Sequence, residues 1–302
     1  MTSIEITFLG TTAGVPTKNR NHSSIYLKYK SENEFCFLFD CGEGTQKQIF
    51  SSDLNFMRLN EIFITHWHAD HFAGLLGLIE TMSLENRNKP LYIFAPEAEK
   101  FVPMLLNLGY STKKFHIVPK NVWFEGTHVQ KIYDNDEFSI ASIPVKHGIP
   151  AVAYAFVEKD RIKIDKEKAK DFGLPSQGQI YKKIKDDGKA VFKGKEIRLE
   201  DISLVEKGKK VVYSGDTLPC KNIVTIAKDA DLLIHDSTYF SEEQESRHAS
   251  FEEVVKISKE ADVKEVVLTH ISRRYQDYDD LMEKIKKHQN FRIAKDFMTV
   301  VV

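Results

Sequence analysis

Thr65-His66-Trp67-His68-Ala69-Asp70-His71 places three imidazoles and a carboxylate within six positions, directly after the apolar segment Glu61-Ile62-Phe63-Ile64. All four are good zinc ligands. In an extended segment alternate side chains point the same way, so His66 and His68 can converge on one ion. Phe72, Leu75, Leu76, Ile79 and Met82 then follow the i, i+3, i+4, i+7 spacing of an amphipathic helix over Phe72 to Met82. Asp70 and His71 stand at its mouth, facing back toward the strand end. A lone histidine pair near a strand end is ordinary packing, whereas four ligands at one strand-to-helix junction predict a site for two metals.

Outward from this run, polar ligands keep appearing where apolar runs end. Strands are expected over Ile4 to Leu9, Ser24 to Tyr29 and Phe35 to Phe39, the last ending in Asp40-Cys41-Gly42-Glu43-Gly44. Asp40 reads as a group that orients a histidine rather than as a ligand. A short strand over Leu91 to Phe94 precedes a helix over Glu97 to Leu108, with Pro96 at its start. Further β-rich runs cover Phe115 to Val118 and Phe138 to Pro144, with His147 just beyond the latter. Lys210 to Ser214 leads into Asp216, Asp231 to Ile234 into His235-Asp236, and Glu265 to Leu268 into His270. Ser250 and Glu253 have capping-box spacing for a helix.

Composition narrows the class. The 302 residues, 42% hydrophobic, suffice for a sizeable core. There is no run of eighteen apolar residues, and the amino terminus has neither the basic nor the apolar region of a signal peptide, so a cytoplasmic protein without a membrane partner is expected. Cys36, Cys41 and Cys220 have no Cys-x-x-Cys spacing, which argues against disulfides and a thiolate metal site. The net charge of -1 gives no general reason to expect DNA binding, but it is unevenly distributed. Residues 158–210 carry sixteen Lys/Arg against eleven Asp/Glu. Such a stretch is either a solvated insertion or an arm that meets phosphates.

The candidate ligands are His66, His68, Asp70, His71, His147, Asp216 and His270. A natural partition gives His66, His68 and His147 to one ion and Asp70, His71 and His270 to the other, with Asp216 bridging. Two such metals would lie about 3.5–4 Å apart and suit attack of hydroxide on phosphorus. Asp70 is the candidate acceptor of the water's proton. His248, in Arg247-His248-Ala249-Ser250, is a candidate donor to the leaving oxygen, with Asp236 keeping its imidazole protonated. Taken alone His248 reads first as a surface histidine. Zinc suits the donor set, as two ions per subunit, and manganese or iron could also bind.

Together these motifs resemble the metallo-β-lactamase superfamily across nearly the whole chain and, within it, the short-form ribonuclease Z family, endonucleases that remove 3′ trailers from precursor tRNA. Gly14-Val-Pro16-Thr-Lys18-Asn-Arg20-Asn21 resembles that family's Pro-x-Lys-x-Arg-Asn loop near the cleavage site. The lysine-rich insertion between His147 and Asp216 corresponds to its exosite arm. His235-Asp-Ser-Thr238 and His248-Ala-Ser250 match two motifs implicated there in leaving-group protonation. The resemblance implies an α/β fold, one αββα sandwich domain over 1–302 with a protruding basic arm inserted at 158–208. It also implies a homodimer in which one subunit's arm grips tRNA for its partner's active site. Lys18, Arg20, Asn21, Lys182, Lys183 and Lys185 become the expected RNA contacts.

Three departures bear on this. Gln177-Gly178 stands where the arm usually has Gly-Pro, Asp236 where the family commonly has glutamate, and Ser237 where it has alanine. Two competing readings keep the metals: an enzyme acting on a small phosphodiester, thioester or lactone, and a metal-stabilised RNA-binding protein without catalysis.

Overall fold

Along Glu34–Phe39, Phe37 and Phe39 alternate with Cys36 and Leu38, and this period of two sets the layering. Phe37 and Phe39 meet Phe156 and Tyr154 of a second sheet, at ring-centroid distances of 6.1 and 5.9 Å. Cys36 and Leu38 point the other way, into a cluster with Leu75, Leu78, Ile79 and Met82 of the helix Leu75–Leu84. Each aromatic pair across the sheets adds about 0.5–1.5 kcal/mol beyond its buried area.

The structure is a computed structural model that describes residues 2–110, 113–241, 247–275 and 278–302. One seven-stranded sheet runs in the order Thr299–Val301, Ser3–Gly10, Ser24–Lys30, Glu34–Phe39, Leu59–Phe63, Leu91–Ala95, Ile117–Asn121. It is antiparallel as far as Glu34–Phe39 and parallel beyond. The other runs Phe291–Ile293, Glu265–Thr269, Leu232–Asp236, Lys210–Tyr213, Val152–Glu158, Phe138–Pro144, Gln130–Asp134. Its first four strands are parallel. The crossover helices Lys221–Ala227 and Phe251–Glu260 bury Ile223, Ile226, Val254 and Ile257. Because Val211, Tyr213 and Ile234 face Ile6, Ile25 and Leu27 of the first sheet, these helices take the outer face. Helix, sheet, sheet, helix is the expected order.

Several boundaries differ from expectation. The helix expected over Phe72 to Met82 is two pieces, Ala69–Phe72 and Leu75–Leu84. Gly74 marks the break: its N–H donates to the Cys41 carbonyl at 2.8 Å, and a Cβ there would lie 2.2 Å from the Gly42 carbonyl oxygen. Ile117–Asn121 replaces the run at Phe115, since Leu91 pairs with Ile117. The helix after Pro96 spans Ala98–Leu106, with Glu97 at φ 49° before it. The Leu232 strand continues through His235 and Asp236.

Residues 157–209, with 136–138, form a second compact unit. It contains the antiparallel pair Arg161–Ile164 with Ser203–Glu206 and the hairpin Lys189–Phe192 with Lys195–Arg198. Asp165 caps the helix Lys166–Asp171 by accepting the N–H groups of Glu167 and Lys168. Ala169, Leu174, Ile184, Ala190, Ile197 and Ile202 make a core of its own, which sparse apolar residues build through burial at separated positions. No helix among the described residues is long and apolar enough to cross a membrane.

Candidate metal centre

Parallel strands put their carboxyl ends on one edge, where loops can converge. Lys210–Tyr213, Leu232–Asp236 and Glu265–Thr269 thus deliver Asp216, Asp236 and His270 together, and Leu59–Phe63 delivers the His66 to His71 run. Gly215 lets the two edges close: at φ 58° it packs so near Thr65 that a Cβ would come within 2.7 Å of the Thr65 Cβ.

His66 Nε2 and His147 Nε2 lie 3.0 and 2.9 Å from His68 Nδ1. Both are also near Asp216 Oδ2, at 3.7 and 3.8 Å. On the other side, His71 Nε2 is 3.4 Å from His270 Nε2 and 3.7 Å from Asp70 Oδ2, and His270 Nε2 is 3.3 Å from Asp70 Oδ2. Asp216 Oδ2 reaches this cluster too, at 3.2 Å from His71 and 3.3 Å from His270. One carboxylate oxygen therefore faces both groups of nitrogens. Asp216 Oδ1 is buried with no hydrogen-bond partner.

This donor set fits two cations. Imidazole nitrogens aimed at one another in a dry site repel unless a positive charge lies between them. A tetrahedral zinc with Zn–N of about 2.0–2.1 Å separates its ligand atoms by about 3.3 Å, close to the spacing here. The sets His66, His68, His147, Asp216 and Asp70, His71, His270 each bring their donor atoms within 4.8 Å of one another. A further grouping, Asp216, Asp236, His248 and His270, meets the same criterion. Its Asp236 is already engaged: Oδ1 accepts the Thr238 N–H and hydroxyl at 2.9 and 2.7 Å, and Oδ2 accepts His248 Nδ1–H at 2.9 Å.

Hydrogen bonds outside the donor set fix which nitrogen each histidine presents. Asp40, at φ 56°, accepts from Thr65 N–H at 2.8 Å, His71 Nδ1 at 2.7 Å and the Tyr213 hydroxyl at 2.8 Å, and so is the orienting group its position suggested. His147 Nδ1 donates to the Arg247 carbonyl at 3.1 Å, and His270 Nδ1 faces the Thr238 hydroxyl at 2.8 Å. Burial, reinforced by neighbouring His71, holds His66 well below the usual histidine range. Burial opposes protonation of His270 as well, but the carboxylates of Asp216, Asp236 and Asp70 overcome it and raise the imidazole to about 10. His248 rises in the same way, the carboxylate of Asp236 outweighing burial.

Comparison with known proteins fits this geometry. Residues 4–168 match the family model described as anti-Pycsar protein Apyc1, and residues 200–271 match the beta-lactamase superfamily domain. Ribonuclease Z of Archaeoglobus fulgidus is 40% identical over 99% of this chain and 97% of that relative. Ribonuclease Z of Thermococcus onnurineus is 41% identical over 97% and 93%. The crystal structure of short-form human tRNase Z superposes with a TM-score of 0.70 at 27% identity, covering 98% of both chains. The chain belongs to the ribonuclease Z family. The curated relatives decide this because they extend over nearly its entire length.

The centre opens into a cavity of about 410 Å³. Asp70, Asp216, His248 and His270 line it, as do Tyr239, Arg273 and Arg274, which lie outside the sequence motifs. The Arg274 guanidinium lies 5.5 Å from the Tyr239 ring centre. A signal for the arginines existed: a basic pair three and four positions after the candidate ligand His270 suits a phosphate-handling site. Gly14 also lines the cavity, donating its N–H to Asp70 Oδ2 at 2.9 Å. His235 is fully buried with Nδ1 donating to the Asp236 carbonyl at 2.7 Å, and is not among the lining residues.

The other expected RNA contacts are spread out. Lys18 is exposed, whereas Arg20 Nη1 donates to Thr11 Oγ1 and the Ala294 carbonyl, both at 2.7 Å. Asn21 Nδ2 donates to the Glu43 carbonyl at 2.9 Å. Lys182, Lys183 and Lys185 are exposed on the helix Gln179–Asp187 of the second unit, whose inner side buries Ile184.

Proposed function

We propose that the protein removes 3′ trailers from precursor tRNA, cutting after the discriminator nucleotide to leave a 3′-hydroxyl on the tRNA and a 5′-phosphate on the trailer. The observation that carries this reading is the pair of donor clusters facing one oxygen of Asp216, in a cavity that also holds Arg273 and Arg274. Two divalent cations, zinc by donor preference, supply an acidified water and charge neutralisation at the phosphoryl oxygens when bound there. His66, His68 and His147 would hold one, and Asp70, His71 and His270 the other, with Asp216 within reach of both.

Asp70 accepts the proton of the attacking water, its Oδ2 held in place by the Gly14 N–H. The bond from phosphorus to the 3′ oxygen breaks, and that oxygen takes a proton from His248. With Nδ1 committed to Asp236, His248 has its Nε2 for this transfer. Asp236 is a positioning residue that keeps the imidazole protonated and aimed. Lys18 and the exposed lysines Lys182, Lys183 and Lys185 meet phosphates of the tRNA, and residues 158–208 act as its exosite arm. The functional form is a homodimer. Phe50, Leu84 and Met104 support this, each a large apolar side chain left exposed on its helix.

The test is incubation of the purified protein with an unmodified precursor tRNA, followed by mapping of both product ends. Cleavage after the discriminator with a 3′-hydroxyl is expected. No cleavage in zinc or manganese, or products ending in 3′-phosphate, rejects the reading. Deleting 174–195 separates RNA from small substrates: tRNA cleavage collapses under this reading, and a small-diester enzyme is almost unaffected.

A further inference from the structure

Thr17, Lys18 and Asn21 also wall a second cavity of about 480 Å³, bounded elsewhere by Lys47, Gln48 and Phe297. Its frame is tightly held. Asp296 Oδ2 accepts the Asn21 N–H at 2.7 Å and Gln48 Nε2 at 2.9 Å, while Oδ1 accepts the Thr11 hydroxyl at 2.8 Å. With the two bonds of Arg20, these tie the 17–21 loop to the turn that follows Phe291–Ile293.

Phe297 is the unusual member. It sits at φ 64°, in the left-handed region that bulky side chains rarely adopt, and its N–H donates to the Phe8 carbonyl at 2.7 Å. The residue is nonetheless 44% exposed, and it lines the cavity. Backbone strain spent on presenting an aromatic face to solvent marks a functional position. Lys18 and Lys47 bring two exposed ammonium groups to the same wall, and neither is paired among the described residues. Of the two acids present, Asp296 is consumed by the frame, and Glu43 lies 3.9 Å from His22 Nδ1. The segment is continuous with the metal centre, because Ala13, Gly14 and Val15 line the catalytic cavity.

An aromatic face beside two free cations is the chemistry that takes a nucleotide. We infer that this cavity is a subsite for a nucleotide of the RNA flanking the cut, with the base stacked on Phe297 and the phosphate between Lys18 and Lys47. The assignment rests on the RNA-processing reading above and adds Lys47 and Phe297 to it. Arg20, Asn21 and Asp296 are its frame.

The test uses the full-length zinc-loaded protein and a precursor tRNA, with KM and kcat measured across a series of KCl concentrations. Phe297→Leu raises KM about tenfold, and Phe297→Tyr restores it. Lys47→Gln lowers the slope of log kcat/KM against log salt by about one, and Lys47→Arg restores it. Wild-type KM and salt slope in Phe297→Leu and Lys47→Gln overturn the inference, as does a loss that tyrosine and arginine fail to restore. If the wild type cuts precursor tRNA and the variants match it, this inference alone fails. If the wild type cuts no precursor tRNA, both fall.

Discussion

His248 Nδ1 donates to Asp236 Oδ2 across 2.9 Å, and the carboxylate is completely buried while the imidazole reaches the cavity. The proton on His248 is therefore held by a charge that solvent cannot screen. Asp236→Asn keeps the shape and removes that charge. It lowers kcat for precursor tRNA about 10²–10³-fold, within the range for a lost general acid. The sign of the pH effect follows from the proposed role: a donor His248 would act protonated and Asp236 raises its pKa, so the variant should lose activity at lower pH than wild type on the alkaline side. Rate profiles from pH 5 to 9 check this. An unshifted alkaline limb would remove His248 from the proton-donor role.

Asp40 joins both halves of the site, bonding Thr65 beside the first cluster and His71 in the second. Its φ of 56° is one asparagine also adopts, so Asp40→Asn tests charge with little backbone cost. Metal affinity falls about 10–100-fold, as for other lost partners of ligating histidines. Competition with a zinc-sensitive dye reads it. Unchanged affinity would mean that the charge of Asp40 plays no part in presenting His71 to the metal.

Chelation is expected to abolish cleavage and lower Tm, since ligands that bind only the folded state at a hundred times Kd contribute about 2.7 kcal/mol. Returning zinc restores both. Asp216→Ala discriminates further, because the same oxygen lies near nitrogens of both clusters. Elemental analysis should show both metal equivalents depleted in this variant. Retention of one full equivalent would show that Asp216 serves one ion only.

Local spacing made the ligands legible. His66 to His71 are neighbours in sequence, and His147, Asp216 and His270 each follow an apolar run whose end could be read directly. Asp40 was legible for the same reason. Features that depend on remote backbone were not. The break at Gly74 exists because the Cys41 and Gly42 carbonyls approach it, and nothing in 72–82 announces them. The internal bonds of Arg20 end on Ala294, 274 positions away, so the loop by itself reads only as basic and exposed. Tyr239 and Phe297 have no distinguishing neighbours in sequence. Only the fold shows one beside Arg274 and the other at a cavity wall.

Glu61 offers a test of stability away from the reacting groups. It is 9% exposed on Leu59–Phe63, and burial pushes its carboxyl up to about 7 against the opposing guanidinium of Arg87. In the unfolded chain the same group titrates near its ordinary 4.5. Between those values the folded state binds the extra proton, so stability falls as pH rises from 4.5 to 7 and is flat above. The full span corresponds to about 3 kcal/mol. Glu61→Gln keeps the shape and removes the titration. Urea unfolding should find the variant more stable than wild type at pH 8, with the gap closing by pH 4.5. A wild-type protein whose stability rises from pH 5 to 7 by the same amount as the variant's would show that Glu61 ionises freely in the fold.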